Sequence, residues 1–232
     1  MNQSKLHRMV GTALLAAIVV VLQLLAGTIS FGGVSISLVL VPIVVGAACY
    51  GALSGALLGL AFGLVSFIGC VIGTDKGGAV LFQAQPFLCA LTCFCKGAAA
   101  GAAAGGIYRL VAGKQPSEGR NFAATLLAAV TAPVVNTGLF CAAMYGFFWN
   151  TLVKLADGRP IISYMLVGLV GVNFLVEFGV NIVLSPAVTT ILRAIKRKER
   201  RFLHCARRTG AIRCVFLFCP GRACIECSEV RV

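Results

Sequence analysis

The sequence predicts an all-α membrane protein, a six-transmembrane-helix bundle with both the N-terminus and the C-terminus in the cytoplasm. Of its 232 residues, 59% are hydrophobic and only 12% are charged, and the mean hydropathy is +0.96. A soluble domain carries about 25% charged residues, so this composition excludes an ordinary soluble protein. Two further observations, long apolar stretches and an uneven distribution of lysine and arginine, predict the number of spans and their orientation.

Six apolar stretches account for most of the chain. A helix needs about 20 mostly apolar residues to cross the hydrocarbon core of a bilayer. The second stretch is short, and its boundary with the third, at "YGALSG", is poorly marked. The last two exceed the required length, which indicates tilt or an end that emerges into water. We place the spans at residues 9–29, 36–50, 53–72, 86–108, 122–148 and 161–192.

Lysine and arginine residues indicate the orientation of these spans. Sixteen fall in the segments on one side and three on the other, and loops rich in these residues stay in the cytoplasm. The charge of +13 has the same origin, and it is not interleaved with exposed aromatic residues, so we predict no nucleic-acid partner. The inner residues are Lys5, Arg8, Arg109, Lys114, Arg120 and eleven from Arg193 onward, and the outer ones are Lys76, Lys154 and Arg159.

Glycines recur at four-residue spacing in the third and fourth spans. Small residues at this spacing let two helix backbones approach closely in lipid, where apolar attraction between helices is weak. We predict that they mark helix–helix contacts within a tightly packed bundle. The two series are Gly55, Gly59 and Gly63, and Gly97, Gly101 and Gly105.

Three polar residues, Asn173, Glu177 and Asn181, interrupt the sixth span at intervals of four. On a helix they share one face, since their directions differ by only about 80° in total. Glu177 lies near the middle of its span, where a charge costs roughly 3 kcal/mol on insertion scales. We therefore predict that this face looks inward, toward a partner or a wet cavity.

Candidate neighbours of Glu177 lie in the fourth and fifth spans. Lys96 is placed at mid-depth, as are Asn136 and Thr137, and Gln85 in the loop before the fourth span could add hydrogen bonds. One interpretation is a buried Lys96–Glu177 ion pair, with amides that only fix helix packing. We favour the other, a solute pocket lined by these groups, because ionisable residues within a membrane are functional by default.

A series of segments, in this order, carries a resemblance to a known family: "ALLAAIVVVLQLL", "SISLVLVPIVVGAACYGALSGALLGLAFGL", "KGAAAGAAAGGIYRL", "PVVNTGLF" and "GLVGVNFLVEFGVNIVLSP". Over about residues 5–195 the chain resembles the substrate-binding S component of an energy-coupling factor (ECF) transporter. The resemblance implies a subunit of the bacterial cell membrane that captures one vitamin or related micronutrient with high affinity. It also implies two kinds of partner, a transmembrane coupling subunit and two cytoplasmic ATPases.

The resemblance implies roles for particular residues as well. The family's AxxxA docking pattern on the first helix maps onto Ala13 and Ala17, with Ala16 beside them. Family pockets are built mostly from spans four, five and six, with the loop after span three in the lid. The segments "PVVNTG" and "SISLVLVPIVVGA" favour pantothenate-type members slightly, with riboflavin and folate types behind. The implied substrate-binding residues are Lys96, Asn136, Asn173, Glu177, Thr137 and Gln85, with Asn181 deeper toward the cytoplasm.

Two other classes of function are weighed against this one. A membrane-embedded enzyme would need paired carboxylates, an HExxH motif or an activated nucleophile, and the only histidines, His7 and His204, lie outside the predicted spans. A structural helix bundle would gain nothing from a lysine and a glutamate at mid-membrane. We therefore predict that the chain is not an enzyme. No phosphate-binding loop occurs, so the energy for transport must come from a partner.

The cysteines form two groups. In the tail, the "CIEC" motif suggests zinc, but one CxxC without a second paired set falls short of a zinc site, and we predict neither a metal nor a cofactor. We divide the chain into a membrane domain, 1–195, and a basic tail, 196–232, that is disordered, bound to the membrane surface or an aberrant extension. The cysteines of the apolar stretches are predicted to act as small hydrophobic residues: Cys49, Cys70, Cys89, Cys93, Cys95 and Cys141.

Overall fold

The computed structural model describes residues 3–28, 30–31, 34–35, 39–113, 117–156, 158–165 and 171–209, and these are almost entirely helical. The predicted all-α class is thereby confirmed. A short antiparallel hairpin of β1 (Ser30–Phe31) and β2 (Val34–Ser35) lies between the first two helices. The helices are α1 (Gln3–Thr28), α2 (Leu40–Tyr50), α3 (Ala52–Ile72), α4 (Lys76–Ala84), α5 (Pro86–Ala112), α6 (Glu118–Gly146), α7 (Trp149–Ala156), α8 (Ile161–Ser163) and α9 (Val172–Thr209).

Five helices of the described chain are long and apolar enough to cross a membrane. The predicted second span corresponds to α2, which has only 11 residues. At about 1.5 Å per residue it covers roughly half of a hydrocarbon core about 30 Å thick. The count of six spans and the cytoplasmic position of both termini therefore stay predictions. The candidate spans are Arg8–Ala26, Ala52–Ile72, Pro86–Ala112, Glu118–Gly146 and Phe174–Ile195.

The poorly marked boundary between the second and third predicted spans is resolved at one glycine. Gly51 has a φ of 95°, a value that glycine adopts without strain and other residues rarely take. The chain therefore turns between Tyr50 and Ala52, and α3 begins directly after α2. The guanidinium of Arg8 donates a hydrogen bond to the carbonyl of Tyr50, which ties the start of α1 to this turn.

Two segments predicted as outer loops contain helices. After α3, Asp75 caps α4 by accepting a hydrogen bond from the backbone N–H of Gly78 at 3.1 Å, an arrangement that satisfies a donor left free at a helix start. After α6 comes α7, which begins at Trp149. Within the sixth predicted span the structure describes α8 up to Ser163 and α9 from Val172, and residues 166–170 lie outside the described residues.

The two glycine series meet each other, as the four-residue spacing predicted. A Cβ built on Gly59 would lie 2.0 Å from the carbonyl oxygen of Gly97, and one on Gly97 would lie 2.2 Å from that of Gly59. Gly55 and Gly101 oppose each other in the same reciprocal way. Because no side chain fits between them, α3 and α5 pack backbone against backbone. We call this contact the glycine seam.

Residues of α5, α6 and α9 share a buried cluster of alanine and small aliphatic side chains. The buried cluster there includes Ala104 of α5, Ala128 of α6 and Leu192 of α9. A second cluster joins α1, α2 and α3 through Val19, Leu40 and Leu58. The bundle is therefore layered around α3 and α5, and compact contacts group the chain up to Arg193 into one unit.

Candidate functional site

The buried face of α9 carries a polar stripe, which we define as Glu177, Asn181, Ser185 and Thr189. Glu177 and Asn181 are 4% and 2% exposed, so the predicted inward orientation of this face is confirmed for both. The side chain of the third predicted member, Asn173, lies outside the described residues. The stripe continues two turns further than predicted, and the signal was present in the sequence, since Ser185 and Thr189 extend the same spacing of four.

Two members of the α9 stripe bind their own helix. Asn181 Nδ2 donates to the backbone oxygen of Glu177 at 2.8 Å, and Thr189 Oγ1 donates to that of Ser185 at 2.9 Å. Such bonds to the carbonyl four residues earlier satisfy a polar group inside an apolar bundle without any guest. For Asn181 this favours a structural role over substrate contact.

Lys96 lies on the face of α5 next to two aromatic rings. Its Nζ atom is 5.2 Å from the ring centroid of Phe140 on α6 and 6.0 Å from that of Phe62 on α3. A cation over an aromatic face is stabilised by the negative charge of the ring centre, and more strongly where water is excluded. The rings thus help α5 to carry a half-buried ammonium while its N–H groups stay able to donate to an anion.

Arg193 Nη2 of α9 and Glu118 Oε2 of α6 form an exposed ion pair at 4.0 Å. A Lys96–Glu177 pair stays a prediction. The sequence could not identify Phe62 and Phe140 as neighbours of Lys96, because all three lie on different helices and phenylalanine is common in every apolar span.

Asn136 on α6 is 8% exposed, and its Oδ1 atom accepts no hydrogen bond from any described residue. A buried acceptor without a donor costs about 1–3 kcal/mol. Phe140 lies one turn further along the same face, about 6 Å along the axis, and its ring contacts Lys96. Asn136 lies ten residues before the end of α6, and Lys96 lies ten residues after the start of α5. The two residues are therefore at a similar depth in the bundle.

A further amide, whose side chain is half-buried, was not predicted. Gln23 of α1 donates through Nε2 to Ser66 Oγ of α3 at 3.2 Å, while its Oε1 atom accepts nothing from the described part of the chain. Ser66 lies one turn beyond Phe62, the ring beside Lys96. We therefore group Gln23, Ser66, Lys96 and Asn136 as the mid-bundle polar group, which four helices supply.

The remaining predicted pocket residues are less buried than Asn136. Thr137 is half-buried beside Asn136 on α6, whereas Gln85 is exposed at the junction of α4 and α5. The backbone oxygen of Gln85 accepts from Cys89 N at 3.0 Å, so its observed role is to begin α5. Substrate contact by Thr137 and Gln85 stays a prediction.

The predicted docking residues divide between two faces of α1. Ala13 and Ala17 are exposed, whereas Ala16 is half-buried and packs against the cluster that contains Val19 and Leu40. Docking by all three stays a prediction, but only Ala13 and Ala17 lie on a surface that another protein could reach. Large apolar side chains surround these two alanines on the exposed side of the helix: Met9, Val10, Leu14, Val21, Leu24 and Leu25.

Comparison with known proteins bears on what this arrangement does. A family model described as the substrate-specific component of ECF transporters matches residues 7–192, which include the mid-bundle polar group and the α9 stripe. The chain is 28% identical over 200 residues to the pantothenic acid transporter PanT of Lactococcus lactis subsp. cremoris (strain MG1363), covering 83% of this chain and 96% of that protein. No solved structure matches the chain.

Proposed function

The chain belongs to the family of substrate-specific components of ECF transporters, and on this premise we propose that it is the high-affinity vitamin-binding subunit of an importer, with pantothenate as its substrate. The name of the relative in Lactococcus lactis supports this choice of vitamin. Riboflavin and folate are the runner-up substrates. Because the family consists of transporter components, a carrier is favoured over a membrane-embedded enzyme.

The observation that carries the proposal is the buried Oδ1 atom of Asn136 on α6, one turn from Phe140, whose ring contacts the ammonium of Lys96 on α5. Pantothenate combines a carboxylate with hydroxyl and amide donors. Its carboxylate would bind the ammonium of Lys96 through charge-assisted hydrogen bonds, and one of its donors would satisfy Asn136. Glu177 and Asn173 on α9 would complete the wall of the pocket.

Calorimetry of the detergent-purified protein with pantothenate, riboflavin and folate, without ATP, tests the substrate. We expect nanomolar to micromolar binding of pantothenate alone. A hydrogen bond to a charged group contributes about 1.5–3 kcal/mol, so Lys96→Met should weaken binding roughly 10- to 150-fold. Lys154→Met, which removes an exposed lysine on α7, serves as the matched control. Binding of another vitamin would change the substrate, and unchanged affinity of Lys96→Met would remove Lys96 from the pocket.

Transport requires partners, and we propose that the exposed face of α1 around Ala13 and Ala17 docks on the transmembrane coupling subunit. Two cytoplasmic ATPases would complete the importer in a bacterial cell membrane. Alanines at this spacing allow a second helix to approach closely, which is how helices associate in lipid. Co-purification of a tagged chain with its coupling subunit measures this contact separately from vitamin binding.

A further inference from the structure

Three cysteines that were predicted to be independent small hydrophobic residues lie together. Cys70 is near the end of α3, and Cys89 and Cys93 are one turn apart near the start of α5. All three are buried, and their sulfur atoms lie within 4.8 Å of one another. They belong to an apolar cluster that also contains Leu81 of α4.

At the start of α4, a carboxylate and a backbone carbonyl group face the three cysteines. Asp75 Oδ2 lies 4.0 Å from Cys70 Sγ, and the thiol of Cys89 is 3.9 Å from the carbonyl oxygen of Gly78. A Cβ on Gly78 would lie 2.2 Å from Cys70 Sγ and 2.8 Å from Asp75 Oδ2. Only a residue without a side chain allows this approach, so α4 begins directly against the thiols.

Apolar packing explains why cysteines are buried here, and the cap of α4 explains why Asp75 Oδ1 faces Gly78. Neither explains why the second oxygen, Oδ2, faces Cys70 Sγ. Thiolate sulfur is a soft ligand that selects zinc, cadmium and copper(I), and carboxylate oxygen is a regular fourth ligand of zinc. Zinc–sulfur bonds of about 2.3 Å place the sulfur atoms of a tetrahedral site about 3.8 Å apart. The observed separations of at most 4.8 Å require a contraction of roughly 1 Å, which side-chain rotation can supply.

We propose that Cys70, Cys89, Cys93 and Asp75 form a binding site for a soft divalent cation of the zinc type. Binding releases the three thiol protons to solvent and leaves three thiolates and one carboxylate around a charge of two. Asp75 is exposed, so an ion can enter from the end of the bundle where α4 begins.

An ion at this site would fasten α4 to α3 and α5. The segment that contains α4 joins the third and fourth predicted spans. The family resemblance implies that this segment is part of the lid over the pocket. The site itself does not depend on the vitamin proposal, because its ligands do not include the mid-bundle polar group. Metal binding and vitamin binding can therefore be measured, and can fail, independently.

Cadmium ion is a suitable probe, since cadmium thiolates give an ultraviolet charge-transfer band whose intensity reports the number of bound thiolates. The full-length chain, reduced and purified in detergent, should carry serine at the tail cysteines so that they cannot bind the probe. We expect one cadmium ion per chain and displacement of its band by zinc. The tail cysteines to be replaced are Cys205, Cys214, Cys219, Cys224 and Cys227.

Variants locate the site. Cys70→Ser and Cys93→Ser should each lower the cadmium affinity by at least about 100-fold, because even outer partners of metal ligands change affinity by about 10- to 100-fold. Cys95→Ser, at an exposed position on the same helix, should leave the band unchanged. Asp75→Asn replaces an exposed residue, so it tests the site even if a core variant fails to fold. No band, or a band that persists in both Cys70→Ser and Cys93→Ser, would overturn the proposal.

Discussion

Replacing Gly101 of α5 with alanine should destabilise the protein, because the glycine seam has no room for a methyl group. A Cβ at this position would lie 2.0 Å from the carbonyl oxygen of Gly55, whereas ordinary contact begins at 3.4 Å. α3 and α5 would have to separate locally by the difference, about 1.4 Å, and both are long helices held together along their length. Overpacking of this kind typically costs about 1–3 kcal/mol in the free energy of unfolding.

The matched control is Gly106→Ala on the same helix, where a Cβ would meet no atom within 4 Å. Alanine is favoured over glycine in a helix by roughly 0.5–1 kcal/mol, so this variant should be as stable as the parent or slightly more stable. Unfolding of both variants in detergent, followed by the loss of monodisperse protein on heating, measures the difference. Equal midpoints for the two variants would show that the seam tolerates a side chain and would refute the backbone contact.

Three other perturbations follow from the site. Asn136→Leu removes a buried acceptor whose lack of a donor costs about 1–3 kcal/mol, so it should raise the midpoint of thermal unfolding of the vitamin-free protein. The same variant should lower the affinity for the vitamin. A lower midpoint would contradict the conclusion that Asn136 Oδ1 is unsatisfied in the vitamin-free protein. Lys96→Arg should bind the vitamin more tightly than Lys96→Met in calorimetry, because it keeps the charge, and equal affinities would argue against a carboxylate contact. Ala17→Trp should abolish co-purification with the coupling subunit while vitamin binding persists, whereas Val183→Trp, at an exposed position on α9, should leave both intact.

Much of the helical architecture was predictable because it follows from periodicity along single segments. The spacing of glycines such as Gly59 and Gly97 predicted close helix contact, and the spacing of Glu177 and Asn181 predicted a buried face. Both patterns act within one helix, where direction follows from 3.6 residues per turn. The family resemblance was likewise readable from the order of segments, and the family match over residues 7–192 confirms it.

Features that depend on several helices could not be read in the same way. The rings beside Lys96 and the grouping of Cys70 with Cys89 and Cys93 arise from distant parts of the chain, and nothing in local spacing pairs them. The helix α4 was predicted as loop because two glycines follow its first residue, although Asp75 was a recognisable cap. The short α2 follows from the turn at Gly51, which ends the helix on one side.

The reciprocal contact between Gly59 and Gly97 also limits which parts of the subunit can rearrange. Where two main chains touch, there is no intervening layer of side chains whose rotamers could adjust to let one helix slide along the other. We therefore expect α3 and α5 to move as a single rigid body in any rearrangement of the bundle. If the proposed pocket opens and closes, the moving parts would be α4 and α1, whose contacts with this body run through side chains.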